Sequence, residues 1–198
     1  AADNPPVSSL DRILLNIKDR EQRLKTFTAS FKQTQKNALL KDPLISEGMM
    51  FYDQSDKILM KITCPEAFVL LINYRSVILG DPVSNTFKQK TLPGRNTFIK
   101  RYLGTGQSLE ALKDTYDIRI SRACTDRDCQ LEIAPKKRSR NMPFQFIRLT
   151  VDTRMWLPRM VFLEEPNGDT TIIEMTYHTI NDPLPADTFR IEMLKEGR

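Results

Sequence analysis

The sequence predicts a mostly β protein of the α+β class, with a single large antiparallel sheet, an N-terminal helix and a central helical insert. Three observations predict it. From residue 27 onward, apolar and polar residues alternate in short runs of strand length. Turn-forming stretches such as "DQSD" (53–56), "NYRS" (73–76), "TDRD" (125–128) and "EPNGD" (165–169) join these runs. Such short links suit an antiparallel meander and leave no room for crossover helices. Helical periodicity is confined to the start of the chain and to one central stretch.

The first element is the helix in "SSLDRILLNIKDREQRL". Leu10, Ile13, Leu14, Ile17 and Leu24 recur at helical spacing and form one apolar stripe, from which Leu15 stands apart. Ser8 with Asp11 three residues later is a start signal, and Pro5 and Pro6 stop the helix from running further back. Strands are predicted at 27–36, 44–53, 57–63, 67–74, 77–80 and 85–90. They resume at 116–124, 129–134, 144–152, 156–164, 170–178 and 188–193. The interruption at 92–116 holds a helix near 107–114 and another around 96–103. No repeat or linker breaks the chain, so residues 1–198 read as one domain. A sheet of about ten or more strands must curl or split. The expected form is an unclosed half-barrel with the helices over its inner face as a lid.

The strand "FTASFKQTQK" places Phe27, Ala29, Phe31, Gln33 and Gln35 on one face. Its phenylalanines belong to an apolar interior and its glutamines to the rim. The same alternation assigns Met50, Tyr52, Ile58, Met60, Ile62, Phe68, Leu70 and Ile72 to that interior with Phe27 and Phe31. By periodicity alone these ten residues read first as an ordinary filled core.

Charge and cysteines narrow the function. The net charge is +5 and, apart from "KKRSR" at 136–140, the basic residues are scattered. A nucleic-acid binder carries a denser basic stripe with interleaved aromatics. Lys136, Lys137, Arg138 and Arg140 are expected in an exposed loop. That loop is either a solvated turn or a contact for anionic headgroups or an acidic patch on a partner. Cys124 and Cys129 bracket a four-residue polar loop and are expected to form a disulfide across a hairpin. Cys64, in an apolar-flanked stretch, is expected to be a buried, inert thiol. A start at "AADNPP" reads as a mature exported chain after cleavage, or else as an arbitrary cut.

Catalytic readings lack residues. One histidine, His178, stands in the whole chain with no G-x-S-x-G elbow, and there is no Walker loop and no G-x-G-x-x-G. Glu164 and Glu165 are adjacent and point to opposite faces of a strand, which does not make a glycosidase pair. Neither an enzyme, a metal site nor a cofactor is expected.

Several stretches, in order, resemble the LolA family of periplasmic outer-membrane lipoprotein carriers, within the LolA/LolB superfamily. "FTASFKQTQ" is close to the family's A-x-F-x-Q strand, Gly48 opens the next strand, and Pro65 falls after the third. "LEALKDTYDIRI" matches a helix leading into a strand, "IAPKK" resembles an L-x-P-K step, and the end resembles the last hairpin and a closing F-x-I strand. The resemblance implies a periplasmic monomer that shuttles lipoprotein acyl chains, or another lipid, from an inner-membrane donor transporter to an outer-membrane acceptor. The ten apolar residues would then line a lidded cavity. A lipid- or lipoprotein-sensing module on the same fold is the alternative. One departure stands out. Where the family has an Arg–Pro pair followed by aromatics, this chain has Gln54 and Ser55, then Ile58 and Met60. Gln54 is the candidate lid latch, without the charge or five-donor fork of a guanidinium.

Overall fold

A computed structural model describes residues 9–37, 41–73, 76–91, 113–114, 116–137 and 144–190. Helix α1 spans Ser9–Arg23. Eleven strands follow: β1 Thr26–Lys36, β2 Leu44–Asp53, β3 Lys57–Cys64, β4 Phe68–Asn73, β5 Ser76–Asp81, β6 Thr86–Thr91, β7 Tyr116–Arg122, β8 Asp128–Pro135, β9 Phe146–Asp152, β10 Leu157–Glu164 and β11 Thr170–Ile180. They are members of one antiparallel sheet. The chain divides into two compact units, residues 1–23 with 98–167, and residues 24–97 with 168–198. Among the described residues α1 is the one α-helix, and no helix there is long and apolar enough to cross a membrane.

The first unit holds α1 and the strands β7 to β10. The α1 stripe buries Ile13, Leu14 and Ile17, while Leu15 is left 58% exposed. Asp11 in its first turn pairs with Lys113, and Asp19 with Arg23 one turn on. The strand register gives this unit two unlike faces. Leu131, Ile133, Leu149, Val151, Val161 and Leu163 are buried on one of them. On the other, Arg119, Glu132, Arg148 and Phe162 stand opposite one another across four strands.

The second unit orders its strands β6-β5-β4-β3-β2-β1-β11. Its β4 is apolar on both faces, and β3 and β5 each add one residue to a second core. Leu59, Val69, Leu71 and Ile78 form a buried cluster on one face, covered by Phe51, Phe87 and Phe189. Phe189 is delivered by a turn, held by the Thr188 N–H on the Pro185 carbonyl and the Arg190 N–H on that of Asp187. The strand expected at 188–193 is therefore a turn as far as residue 190, and its remainder lies outside the described residues. Pro183 and Pro185, which lack N–H donors, stand just ahead of it. The helix expected around 96–103 also lies outside them, as does the one expected near 107–114 except for residues 113–114, which form a turn.

Two backbone features shape this unit. A Cβ on Gly48 would collide with the Lys61 carbonyl oxygen, where the β2–β3 ladder shifts register, so only a residue without a side chain fits there. Gly80 lies beneath the Phe87 ring, which occupies the space a side chain would need.

Candidate functional site

Cross-strand pairing places all ten sequence-predicted residues on one face of the second unit, in three rows. Phe27, Tyr52, Ile58 and Ile72 make the first row; Met50, Met60 and Leu70 share the second with Ala29; Phe31, Ile62 and Phe68 share the third with Gly48. Paired residues of adjacent strands point to the same side, so the rows form one continuous apolar wall. The Phe27 ring stacks on Tyr52 at 5.2 Å and meets Tyr177 edge-on at the same distance.

Burial divides this wall. Phe27, Phe31, Met50, Tyr52, Ile58 and Ile72 are 1–4% exposed and have no free surface. Met60, Ile62, Phe68 and Leu70 are half-buried and adjoin one another on β3 and β4. Beside Phe68 a pocket of about 340 Å³ opens between Glu66, Ala67, Asp81 and Val83. At its edge the Ser84 side chain and the Val83 and Ser84 N–H groups hold the Asp81 carboxyl below the usual carboxylate range. A second groove, of about 520 Å³, is lined by polar side chains of the opposite face, among them Lys32, Glu47, Thr63 and Glu174.

Gln33 and Gln35 continue the face beyond these rows. Gln33 stands between Ser46 and Ile173, and Gln35 between Leu44 and Thr171, past the point where β3 ends. The polar stretch of the first strand thus belongs to the margin of the wall.

The other sequence-predicted residues are dispersed. Gln54 is exposed in the β2–β3 turn, with its backbone N–H donating to the Lys25 carbonyl at 2.8 Å. The lid segment it would latch lies outside the described residues. Lys136 and Lys137 are exposed just after β8, and Arg138 and Arg140 are not described. Cys124 and Cys129 are joined in a disulfide with Cα atoms 4.2 Å apart. Cys64 corrects the expectation: it is exposed, not buried. It is the last residue of β3, before a cis peptide to Pro65, and the strand has already left the apolar face there.

His178 is exposed, and the β1–β11 register skips it, pairing Thr28 with Thr179 and Ala29 with Tyr177. Among the described residues no three His, Cys, Asp or Glu side chains gather to hold a metal.

Two charged groups were not singled out in the sequence. Glu132 accepts from Arg119 Nε at 2.9 Å and from Arg148 Nη2 at 3.2 Å. Arg119 first, then Arg148, holds its carboxyl below the ordinary value. The Arg148 guanidinium also lies over the Phe146 and Phe162 rings at 5.3 and 5.7 Å. Glu21, near the end of α1, has a buried Oε1 with no hydrogen-bond partner among the described residues, and burial pushes its pKa from 4.5 up to about 8. Period-2 and period-3.6 patterns carry no signal for either.

The sequence model of the family described as outer membrane lipoprotein carrier protein LolA matches residues 22–192. The chain belongs to the LolA family. No curated protein matches it in sequence. In backbone it is similar to an uncharacterized conserved protein from Thermus thermophilus, with a TM-score of 0.57 at 10% identity, over 89% of this chain and 91% of that one. It is similar to a DUF1329 family protein from Desulfovibrio piger, with a TM-score of 0.51 at 12% identity, over 96% and 100%. A chain of the Pseudomonas aeruginosa MucA/MucB complex gives a TM-score of 0.56 at 13% identity, over 89% of this chain and 59% of that one. At these identities the likeness is one of fold. The family assignment rests on the LolA match, which covers all ten residues of the wall.

Proposed function

We propose that this LolA-family protein is a periplasmic carrier of acyl chains, from a lipoprotein or another lipid, between an inner-membrane donor and an outer-membrane acceptor. The observation that carries the reading is the half-buried corner of the wall. Met60, Ile62, Phe68 and Leu70 adjoin on an otherwise buried apolar face and reach a pocket beside Phe68. The six buried residues act as the fixed back of the site, and these four bind the chain.

Moving an acyl chain of about 14 carbons through water exposes apolar surface at roughly 0.8 kcal/mol per CH₂, near 11 kcal/mol in all. A carrier offsets much of that and still releases its cargo, and partial cover by a four-residue corner suits both needs. Gln54 in place of the family's arginine makes a weaker latch, which favours release. Lys136 and Lys137 supply a contact for an acidic patch on a transfer partner.

Mass spectrometry of an organic extract from protein purified out of its native periplasm tests the reading. Co-purifying acylated species are expected, and their loss in Met60→Glu ties them to the wall. An extract free of lipid, together with no binding of a fluorescent fatty acid in solution, would refute the carrier. The alternative is a lipid- or lipoprotein-sensing module, supported by the fold likeness to a chain of the MucA/MucB complex. A sensor's acyl ligand alters its affinity for a protein partner, whereas a carrier gives the ligand up to an acceptor membrane.

A further inference from the structure

The apolar wall opens in one direction. Along its middle row Met50 is 1% exposed, Met60 and Leu70 are half-buried, and Leu79, the next residue across on β5, is 42% exposed. The first row runs the same way, from the buried Ile72 to the half-buried Val77. On β6 both rows end in charge. Lys88 pairs with Leu79 and Lys90 with Val77, and both lysines are exposed. Paired residues share a face, so the two lysines border the wall. Phe87, which alternates with them, packs on the second core instead.

The lysines of β3 belong to that opposite face. Lys57 lies over the Phe189 ring and Lys61 over the Phe51 ring, each at 5.8 Å. Asp81 follows Leu79 by two residues, hence on the side of the wall, and stands with Glu66 at the pocket beside Phe68. The wall therefore has a basic margin at Lys88 and Lys90 and an acidic one at Asp81 and Glu66.

We propose that Lys88 and Lys90 receive the anionic head of the bound lipid, so that the site takes acyl lipids with a net negative head in preference to neutral or zwitterionic ones. This preference rests on the carrier reading and narrows its cargo to one class. Neighbouring strands lie roughly 4.8 Å apart, so Met60 and Lys88 are separated by about 14 Å along the sheet. An acyl chain laid across Met60, Leu70 and Leu79 brings its head to the lysines. Each lysine stem extends an apolar row beneath the chain while its ammonium stays in water. The reverse orientation would set an anion beside Asp81 and Glu66, where like charges repel. Leu79 is covered by the carbons next to the head.

Calorimetric titration of the full chain with lysophosphatidylglycerol and lysophosphatidylcholine of equal chain length, below the concentration at which they form micelles, tests the preference. The wild type is expected to bind the anionic lipid about fivefold more tightly at low salt, with the difference shrinking in high salt. Lys88→Gln with Lys90→Gln should bring the anionic lipid down to the affinity of the zwitterionic one, leaving the latter and the melting temperature unchanged. Lys57→Gln with Lys61→Gln removes the same charge from the opposite face and should keep the preference. Equal wild-type affinity for the two lipids overturns the proposal and leaves the carrier reading standing. So does a preference that survives in the Lys88 and Lys90 variant, or one lost equally in both double variants. Binding of neither lipid overturns the carrier reading as well.

Discussion

Replacing Met60 and Phe31 with glutamate, one at a time, tests whether the wall holds a ligand or is merely core. Phe31 is 3% exposed, in the row it shares with Gly48 and Met175. Removing its ring costs about 3–5 kcal/mol. An unpaired carboxylate in its place adds further destabilisation of similar order. Against a total stability of roughly 5–15 kcal/mol, Phe31→Glu is expected to be largely unfolded.

Met60 is half-buried, between Met50 and Leu70. A glutamate there can bend its carboxylate toward water, and the expected loss is about 1 kcal/mol. Binding should suffer far more. If the charge displaces about four methylenes of the bound chain, at roughly 0.8 kcal/mol each, affinity falls by about 3 kcal/mol, or roughly 200-fold. Thermal melts followed by circular dichroism and titration with a fluorescent fatty acid read the two quantities. A Met60→Glu protein that melts as early as Phe31→Glu would show that the corner is filled core. A stable variant that binds as the wild type does would place the acyl chain elsewhere.

Three further outcomes follow from the charged and sulfur groups. Between pH 4.5 and about 8 folded Glu21 keeps a proton that the unfolded chain has released. Stability therefore falls as pH rises through that window, by on the order of a few kcal/mol. Glu21→Gln should flatten this slope and raise the melting temperature at pH 8. Glu132 has the opposite sign: its carboxyl is held low by Arg119 and Arg148, so its contribution is present above the unfolded value near pH 4.5 and is lost as pH falls through the folded one. Glu132→Ala, which strips Arg148 of its carboxylate, should destabilise by at most about 1 kcal/mol at neutral pH, because solvent screens these partly exposed pairs, and by less in acid. Thiol titration of the unfolded, unreduced protein should find Cys64 alone, and with Cys64 exposed the native protein should react at once; three thiols would mean that Cys124 and Cys129 are not joined.

Most strands and the ten-residue face were legible because alternation reports which side of a strand is buried. The second core was harder to see. "FVLLIN" in β4 is a nearly continuous apolar run, the pattern of a strand covered on both faces. Alternation assigned Phe68, Leu70 and Ile72 to the wall, and Val69 and Leu71 are buried on the other side. The closing strand failed for a local reason. The periodicity of "FRI" is extended, but Pro185 and Asp187 supply the carbonyls of a turn that sets Phe189 against the second core. Cys64 failed because apolar neighbours in sequence say little about the last residue of a strand. Glu21 and Glu132 depend on desolvation and on partners from separate strands, which no single stretch records.

The second core supplies what the proposed carrier site requires, strands held in place without packing at the corner. A carrier site and a folding core make opposite demands on the same apolar residues. Packing stabilises the strand but leaves no place for the ligand, and leaving the place empty weakens the strand. Here β3 and β4 carry Met60, Ile62, Phe68 and Leu70 on one face and Leu59, Val69 and Leu71 on the other, where Ile78 and Phe189 complete the cluster. Burying the aliphatic side chains of Leu59, Val69, Leu71 and Ile78 contributes gross stabilisation of about 6–12 kcal/mol. That holds both strands in place whatever happens on the candidate face. Leu71→Ala should therefore cost about 2–5 kcal/mol of stability while leaving fatty-acid affinity within about twofold at temperatures where the protein stays folded. A large loss of affinity in that variant would mean that the two faces are coupled, and that the corner is shaped by the packing beneath it.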